Sequence, residues 1–145
     1  MKVPFVKLHP DAVMPTYGSP CAAGADLYAL SEENILIEAG KTVFIRTGIA
    51  MEIPEGYVGL IFARSSMGAK RNLAPANKVG VIDSDYRGEI KVVLHNHGDI
   101  DQVVVPGERI AQLAIVPYLR AKFDECTSLS DTARGEGGFG STGRT

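Results

Sequence analysis

Glycine and proline interrupt this sequence every few residues, and that spacing constrains the fold more than any other feature. The 16 glycines and eight prolines separate short runs rich in Val, Ile, Leu, Phe and Tyr. Such runs are typical of strands joined by turns, because glycine and proline favour turn conformations. We predict strands at residues 4–8, 25–30, 35–38, 42–47, 49–53, 57–63, 89–96, 102–105 and 108–116.

Apolar periodicity supports a mostly β chain. Ile90, Val92 and Leu94 occupy every second position of their run, which indicates a strand with two unlike faces. Helical periodicity is weak and is best at residues 65–71, where a serine is suited to cap one or two turns. A chain of 145 residues has room for one core. We therefore predict a single all-β domain with one short helix, closed as a barrel or folded as a jelly roll, since either limits exposed strand edges.

The end of the chain differs in composition from the rest. Apolar runs stop after Phe123, and a glycine-rich segment, residues 134–145, follows. Such a composition is typical of a flexible tail. We predict a folded core over residues 1–124 and a flexible arm over residues 125–145.

Charge and cysteine content exclude several classes of protein. The net charge is −2, and no run of Lys or Arg is long enough to follow a nucleic-acid backbone. Cys21 and Cys126 are far apart in sequence, which favours unpaired thiols in a reducing compartment. No signal-peptide core or stretch of about 20 apolar residues is present. We expect a cytoplasmic protein that contacts neither nucleic acid nor membrane.

Two of five polar segments lie in the first half of the chain. Asp26 follows a glycine in residues 23–27, and alone it is typical of a solvated or capping turn residue. Arg64, Ser65 and Ser66 place a guanidinium and two hydroxyls at the predicted helix start, which suits a polyphosphate. A serine N-cap and a surface ion pair of the arginine explain these residues equally well.

The third segment, residues 79–88, combines two carboxylates with an aromatic ring. Asp83 and Asp85 flank a serine, and Tyr86 follows directly. A carboxylate near a bound phosphate can deprotonate water, and a tyrosine ring offers a flat face to a sugar. Spacing does not choose between the two carboxylates, and a hydrogen-bonded β-turn is the plainer alternative.

The last two segments also have ordinary explanations when taken alone. Arg109 and Gln112 lie in residues 106–113, where their side chains are placed to face a ligand or one another, but taken alone this segment favours an ordinary half-buried strand. The arm offers glycine amides, Arg134 and an aromatic ring, but it lacks a Walker ending. Two histidines two residues apart, with no Cys-x-x-Cys, make a structural zinc site a poor explanation. No Gly-x-Ser-x-Gly supports a serine hydrolase.

Together the five segments resemble the trimeric dUTPase family in order and spacing, from Ala23 to the arm. The resemblance implies a β jelly roll (dUTPase-like β-clip) that forms a homotrimer with active sites between subunits. It implies Mg²⁺-dependent hydrolysis of dUTP to dUMP and pyrophosphate, which keeps uracil out of DNA and supplies dUMP for dTMP synthesis. It also implies that the arm closes over a neighbouring subunit's active site.

The resemblance assigns catalytic roles by position. Asp83 matches the general base that activates water for attack on the α-phosphorus. Asn77 and Gln112 match residues that hold this water and the uracil, while Tyr86 matches the ring that packs under the deoxyribose and rejects a 2′-hydroxyl. Mg²⁺ is held mainly by the substrate phosphates, and Asp26 reaches only its water ligands.

Substrate binding by resemblance involves main-chain groups that read uracil and side chains that hold phosphates. The arm contributes phosphate contacts and a ring, Phe139, over the uracil. The full set is Arg64, Ser65, Ser66, Asn77, Gly80, Val81, Ile82, Tyr86, Lys91, Arg134, Gly138, Phe139, Ser141 and Thr142.

One departure from the family pattern bears on the alternatives. Many relatives have Pro-Arg-Ser-Gly where this chain has Ala63-Arg64-Ser65-Ser66, and Arg-Ser-Ser is also reminiscent of the related dCTP deaminases. Those enzymes carry a catalytic Glu where this chain has Val93, which cannot shuttle protons. A non-catalytic trimeric nucleotide-binding protein is the third alternative, and the presence of both Asp83 and the arm disfavours it.

Overall fold

The computed structural model of the chain describes residues 1–138. Within them the chain forms one short helix and twelve strands, and every pairing between the strands is antiparallel. The elements are β1 (Phe5–Lys7), β2 (Thr16–Tyr17), β3 (Ala25–Tyr28), β4 (Ile35–Ile37), β5 (Thr42–Arg46), β6 (Ile49–Met51), β7 (Tyr57–Phe62), α1 (Ser65–Arg71), β8 (Leu73–Pro75), β9 (Gly80–Ile82), β10 (Lys91–Asn96), β11 (Gln102–Val104) and β12 (Arg109–Pro117).

The strands form separate sheets rather than one closed barrel. A five-stranded sheet has the order β2-β3-β12-β7-β9, and a three-stranded sheet has the order β5-β10-β8. Two further pairs, β1 with β6 and β4 with β11, complete the strand arrangement. Of the two predicted architectures, the closed barrel is therefore wrong.

The hydrophobic core draws on several of these sheets. Its buried members include Leu27 of β3, Ile45 of β5 and Leu113 of β12. The predicted alternation around β10 is confirmed, because Val92 and Leu94 are buried while Lys91 is exposed. Burial of these side chains is the main force that holds the sheets together.

Three short strands, β2, β8 and β9, were not among the strands predicted from apolar runs. They have two or three residues each, and β8 contains Pro75 while β9 begins with Gly80. Neither residue favours a strand interior. These strands form because each pairs with a longer one, which a local pattern does not reveal.

The bounds of α1 agree with the prediction, but the predicted serine N-cap is wrong. Arg64 is the N-cap, with φ −72° and ψ 148°, and no side-chain hydrogen bond caps the helix. Ser65 is already the first helical residue. The helix ends at Asn72, which adopts the left-handed conformation at φ 53°, as asparagine does more readily than most residues.

The chain beyond β12 is largely exposed as far as the structure describes it. Leu119, Phe123 and Leu129 are 98%, 95% and 87% exposed. No helix in residues 1–138 is both long and apolar enough to cross a membrane.

Candidate active site

Asp26 lies between two arginines. Its side chain is 10% exposed, and Arg64 Nε donates to Oδ1 at 2.8 Å while Arg109 Nη1 donates to Oδ2 at 3.1 Å. Pairing of β3 with β12 brings Asp26 to Arg109 across 83 residues of sequence. The expectation that Asp26 is simply a solvated or capping turn residue is therefore wrong, and so is that of a surface ion pair for Arg64.

Gln112 lies next to Asp26 on the five-stranded sheet. It is opposite Asp26 on β3 and opposite Phe62 on β7, and its Nε2 donates to the carbonyl of Ala63 at 3.0 Å. Segments one, two and four of the sequence thus converge at one end of the five-stranded sheet. The convergence places Gln112 beside the start of α1.

The start of α1 presents the polar groups expected to hold phosphates. Ser65 and Ser66 are exposed, while Arg64 is half-buried against Asp26. Met67 is the buried residue that seats this helix on the core. The serines therefore face outward from a helix whose other side is fixed.

The third segment lies on strand β9 and in the turn that follows it. The turn before it contains exposed Asn77, followed by Lys78 at φ 68°, and β9 then pairs with β7. Lys78 Nζ lies 3.1 Å from His97 Nε2, and the pKa of His97 is lowered by burial, by Lys78 and by His95. β9 is an edge strand, so one side of its main chain faces away from the sheet.

Asp83 follows β9 directly and is exposed. It lines a surface depression together with Ser84 and Asp85, and Glu55 and Arg120 contribute charges to the same depression. Both carboxylates of the segment are thus accessible from one side. The geometry of one chain does not choose between them as a base.

The ring of Tyr86 is held beside a glycine. Its hydroxyl donates to the carbonyl of Glu89 at 3.0 Å, and its backbone N–H donates to the carbonyl of Asp83 at 3.2 Å. A Cβ on Gly88 would lie 2.6 Å from Cζ of the ring. The absence of a side chain at Gly88 therefore lets the ring lie over the turn.

Within one chain, Asp83 and Gln112 are well separated. Gln112 is level with Phe62 of β7, whereas Ile82, which precedes Asp83, is level with Gly59 on the other side of β7. Four residues along a strand and two strand spacings across it place their Cα atoms about 16 Å apart. That distance is too large for both side chains to hold one water.

The other expected binding residues are more scattered. Lys91 lies on β10 in the three-stranded sheet, opposite Arg46, and away from β9 and β12 in the topology. Arg134 Nε donates to the carbonyl of Gly137 at 2.7 Å within a local turn, and Gly138 is the last residue described. Phe139, Ser141 and Thr142 lie outside the described residues.

Sequence reasoning did not assign Arg109 or Ala63 to the site. The sequence offered a ligand or Gln112 as partners of Arg109, and the structure pairs it with Asp26. The carbonyl of Ala63 orients Gln112, and no side-chain pattern signals a main-chain acceptor. The arginine was detectable only as the charged residue of β12, whose other residues are apolar apart from Gln112.

The model of the dUTPase family matches residues 11–143. This chain belongs to the dUTPase family. The match includes the first four polar segments and residues 134–143 of the fifth, so the three segments that converge at Gln112 all lie within it.

Bacterial members of the family match nearly the full chain. The deoxyuridine 5′-triphosphate nucleotidohydrolase of Syntrophotalea carbinolica is 46% identical over 137 residues, which is 94% of this chain and 93% of the relative. That of a Hydrogenobaculum strain is 45% identical over 143 residues, which is 99% of each chain. The likeness thus extends well beyond the motifs.

Solved dUTPases share the fold. A point variant of the Staphylococcus bacteriophage 80alpha dUTPase, solved with dUpNHpp, superposes with a TM-score of 0.88 at 29% identity, covering 98% of both chains. A phage phi11 dUTPase variant, whose structure describes a structural Mg(II) ion, gives 0.79 at 25% identity over 88% of this chain and 98% of that one. The predicted dUTPase-like jelly roll is confirmed.

Proposed function

We propose that this protein hydrolyses dUTP to dUMP and pyrophosphate, with Asp83 as the general base. The family match over residues 11–143 carries the proposal, because it includes each segment expected to bind or cleave the nucleotide. The reaction removes a precursor of uracil in DNA and yields the precursor of dTMP.

The chemical step needs one activated water. Asp83 takes a proton from the water, whose oxygen forms a bond to the α-phosphorus. The bond from that phosphorus to the bridging oxygen breaks, and pyrophosphate leaves with the electron pair. Exposure of Asp83 beside an open depression supports this role, since a base must reach water and substrate together.

The active site is assembled from more than one chain. The separation of Asp83 from Gln112 supports this arrangement, because a neighbouring copy can bring its Asp83 to the Gln112 end of this chain. A homotrimer with three such sites satisfies the closed symmetry of most homo-oligomers. The arm, residues 125–145, then closes over a neighbour's site, where its exposed Leu129 gains a surface to cover.

Phosphate binding falls to the start of α1 and to the arm. Arg64 holds Asp26 through Nε and the carbonyl of Arg109 through Nη1, so its Nη2 is the nitrogen left for a phosphate, and Ser65 and Ser66 add hydroxyls and amides. Ser66 replaces the glycine of many relatives, and it lies in the first turn of α1, where backbone N–H groups have no acceptor within the helix. Arg134 and Gly138 of the arm, with Ser141 and Thr142, complete the grip on the triphosphate.

Mg²⁺ is the proposed cofactor, carried by the substrate. Both oxygens of Asp26 accept hydrogen bonds from arginines, and residues 1–138 contain no group of three or more His, Cys, Asp or Glu placed to hold a metal ion. This donor set fits an ion that keeps phosphate oxygens and waters as ligands and meets Asp26 only through water. When bound, the ion neutralises phosphate charge.

Uracil and deoxyribose are selected by the outer edge of β9 and by Tyr86. The outward main-chain groups of β9 offer fixed donors and acceptors to uracil, and cytosine would leave them unpaired. Asn77 precedes β9, and Gln112 of another chain completes this pocket. The ring of Tyr86 packs under the sugar, where a 2′-hydroxyl has no space.

Deamination of dCTP is not favoured. Val93 occupies the position at which the related deaminases carry their catalytic Glu. It lies in β10 opposite Phe44, and its carbonyl accepts a hydrogen bond from Ala76. A valine between strands cannot transfer protons to a pyrimidine.

The direct test supplies purified protein with dUTP, UTP, dTTP and dCTP in separate reactions and measures pyrophosphate and ammonia, with Mg²⁺ or with excess chelator. We expect pyrophosphate from dUTP alone, and much less without Mg²⁺. The matched control is Asp83→Asn in the same preparation. Ammonia from dCTP would replace the proposal with deamination, and no product from any nucleotide would reject catalysis.

A further inference from the structure

Helix α1 is tied at both ends to consecutive residues, Glu108 and Arg109. At its start, Arg64 Nη1 donates to the carbonyl of Arg109 at 3.4 Å while its Nε holds Asp26. At its end, Arg71 Nη1 pairs with Glu108 Oε1. Because β12 begins at Arg109, both ends of the helix are fixed relative to one strand start.

Arg71 uses every nitrogen of its guanidinium in this attachment. Its Nε donates to Gln102 Oε1 at 3.0 Å, and its Nη2 donates to the carbonyl of Val103 at 2.5 Å. The second oxygen of Glu108 accepts from the backbone N–H of Val105 at 3.0 Å. A planar guanidinium whose nitrogens all donate hydrogen bonds fixes the orientation of the helix end as well as its distance from these partners.

The helix has little else to hold it in one orientation. It has seven residues, Met67 is its buried residue, and no side chain caps its N-terminus. Helices this short are marginal without tertiary contacts. Its orientation on the sheet therefore depends on the contacts made by its two terminal arginines.

We propose that Arg71 and Glu108 are positioning residues for triphosphate binding, acting through α1. The pair, which we term the Arg71–Glu108 clamp, sets the direction in which Arg64 and Ser65 meet the phosphates. The inference rests on the proposed function, since that function assigns the start of α1 to phosphate binding. The clamp touches no part of the substrate itself.

The test compares a ligand that has phosphates with one that has none. Dissociation constants for dUpNHpp and deoxyuridine are measured with wild type, Arg71→Gln, Glu108→Gln and the double variant. Each single substitution weakens dUpNHpp binding by about tenfold and leaves deoxyuridine binding unchanged. The double variant loses little more affinity for dUpNHpp than either single variant, because both substitutions remove the same interaction.

A matched control comes from the same helix. Lys70 is exposed and adjacent to Arg71, so Lys70→Gln removes an equal charge without touching the clamp, and it keeps wild-type affinity for dUpNHpp. Arg71→Lys keeps the charge but not the planar group whose three nitrogens each donate a hydrogen bond. We expect it to lose less affinity for dUpNHpp than Arg71→Gln loses. Should Arg71→Gln not fold, Arg71→Lys and Glu108→Gln carry the comparison.

Two results would overturn the clamp. If a substitution weakened the binding of dUpNHpp and of deoxyuridine equally, the defect would be a general structural one. If folded Arg71→Gln bound dUpNHpp with wild-type affinity, the pair would not orient the helix. Wild-type protein that binds no dUpNHpp would instead reject the proposed function, and the clamp's role with it.

Discussion

Gly24 and the side chain of Gln112 are in close contact across the sheet. A Cβ on residue 24 would lie 2.7 Å from Gln112 Oε1 and 3.1 Å from its Cβ. On its other side, Gln112 Nε2 donates to the carbonyl of Ala63. The amide is therefore fixed between the segment that carries Asp26 and the segment that carries Arg64.

This contact predicts that Gly24→Ala displaces Gln112. The added methyl group cannot share the space of Oε1, so the amide must rotate away from Ala63, and we expect kcat on dUTP to fall by about ten- to a hundredfold. Gly18→Ala is the control, because nothing lies within 4 Å of a Cβ at that position. Steady-state kinetics of both variants check the effect; wild-type kcat in folded Gly24→Ala would show that the contact is unimportant.

The choice of Asp83 as the base predicts a loss confined to catalysis. Asp83→Asn removes the proton acceptor but keeps the shape, so kcat falls by about a thousandfold while dUpNHpp binds as before. Asp85→Asn is matched, since both carboxylates are exposed and line the same depression. If Asp85→Asn were the inactive variant, the base would be Asp85.

The sequence predicted the helix and most strands well, but it predicted the contacts between distant residues poorly. The bounds of α1 and the presence of the nine predicted strands follow from local patterns, whereas β2, β8 and β9 depend on pairing with distant strands. Asp26 looked like a turn residue because its partners, Arg64 and Arg109, are 38 and 83 residues away. The registers of β3 with β12 and of β7 with β12 bring these charges together.

Roles within the site were even less accessible to local patterns. No spacing rule separates Asp83 from Asp85, and the structure of one chain leaves both exposed. Only the resemblance to the dUTPase family prefers Asp83. The pairing of Arg71 with Glu108 spans 37 residues and arises from packing of α1 near the start of β12. Such contacts depend on tertiary geometry rather than on any local motif.

Sugar selection provides another prediction. Tyr86→Phe keeps the ring and loses only the hydrogen bond to Glu89, so the preference for dUTP over UTP should persist. Tyr86→Ala removes the ring, and we expect the ratio of kcat/KM for the two nucleotides to fall by about tenfold or more. Parallel assays with dUTP and UTP give the ratio. An unchanged ratio in Tyr86→Ala would assign sugar selection to another group.

The arm is predicted to act as a lid. A chain ending at residue 133 lacks Arg134 and the glycine-rich segment but keeps all twelve strands, so its thermal unfolding should match that of the full chain. We expect its kcat on dUTP to fall by about a hundredfold or more. The closed arm excludes bulk solvent from the site, apart from the reacting water, and completes the phosphate contacts. Full activity of the shortened chain would remove the arm from the mechanism.

The central claim, a dUTP-hydrolysing site shared between chains, is tested most directly by mixing two inactive variants. Asp83→Asn and Gln112→Ala are unfolded together in equal amounts, refolded and assayed for pyrophosphate release from dUTP. If Asp83 and Gln112 of a site come from different chains, random assembly leaves about one quarter of sites with both residues intact, and the mixture regains about that share of wild-type activity. A mixture that forms mixed oligomers but stays as inactive as its components would contradict the account.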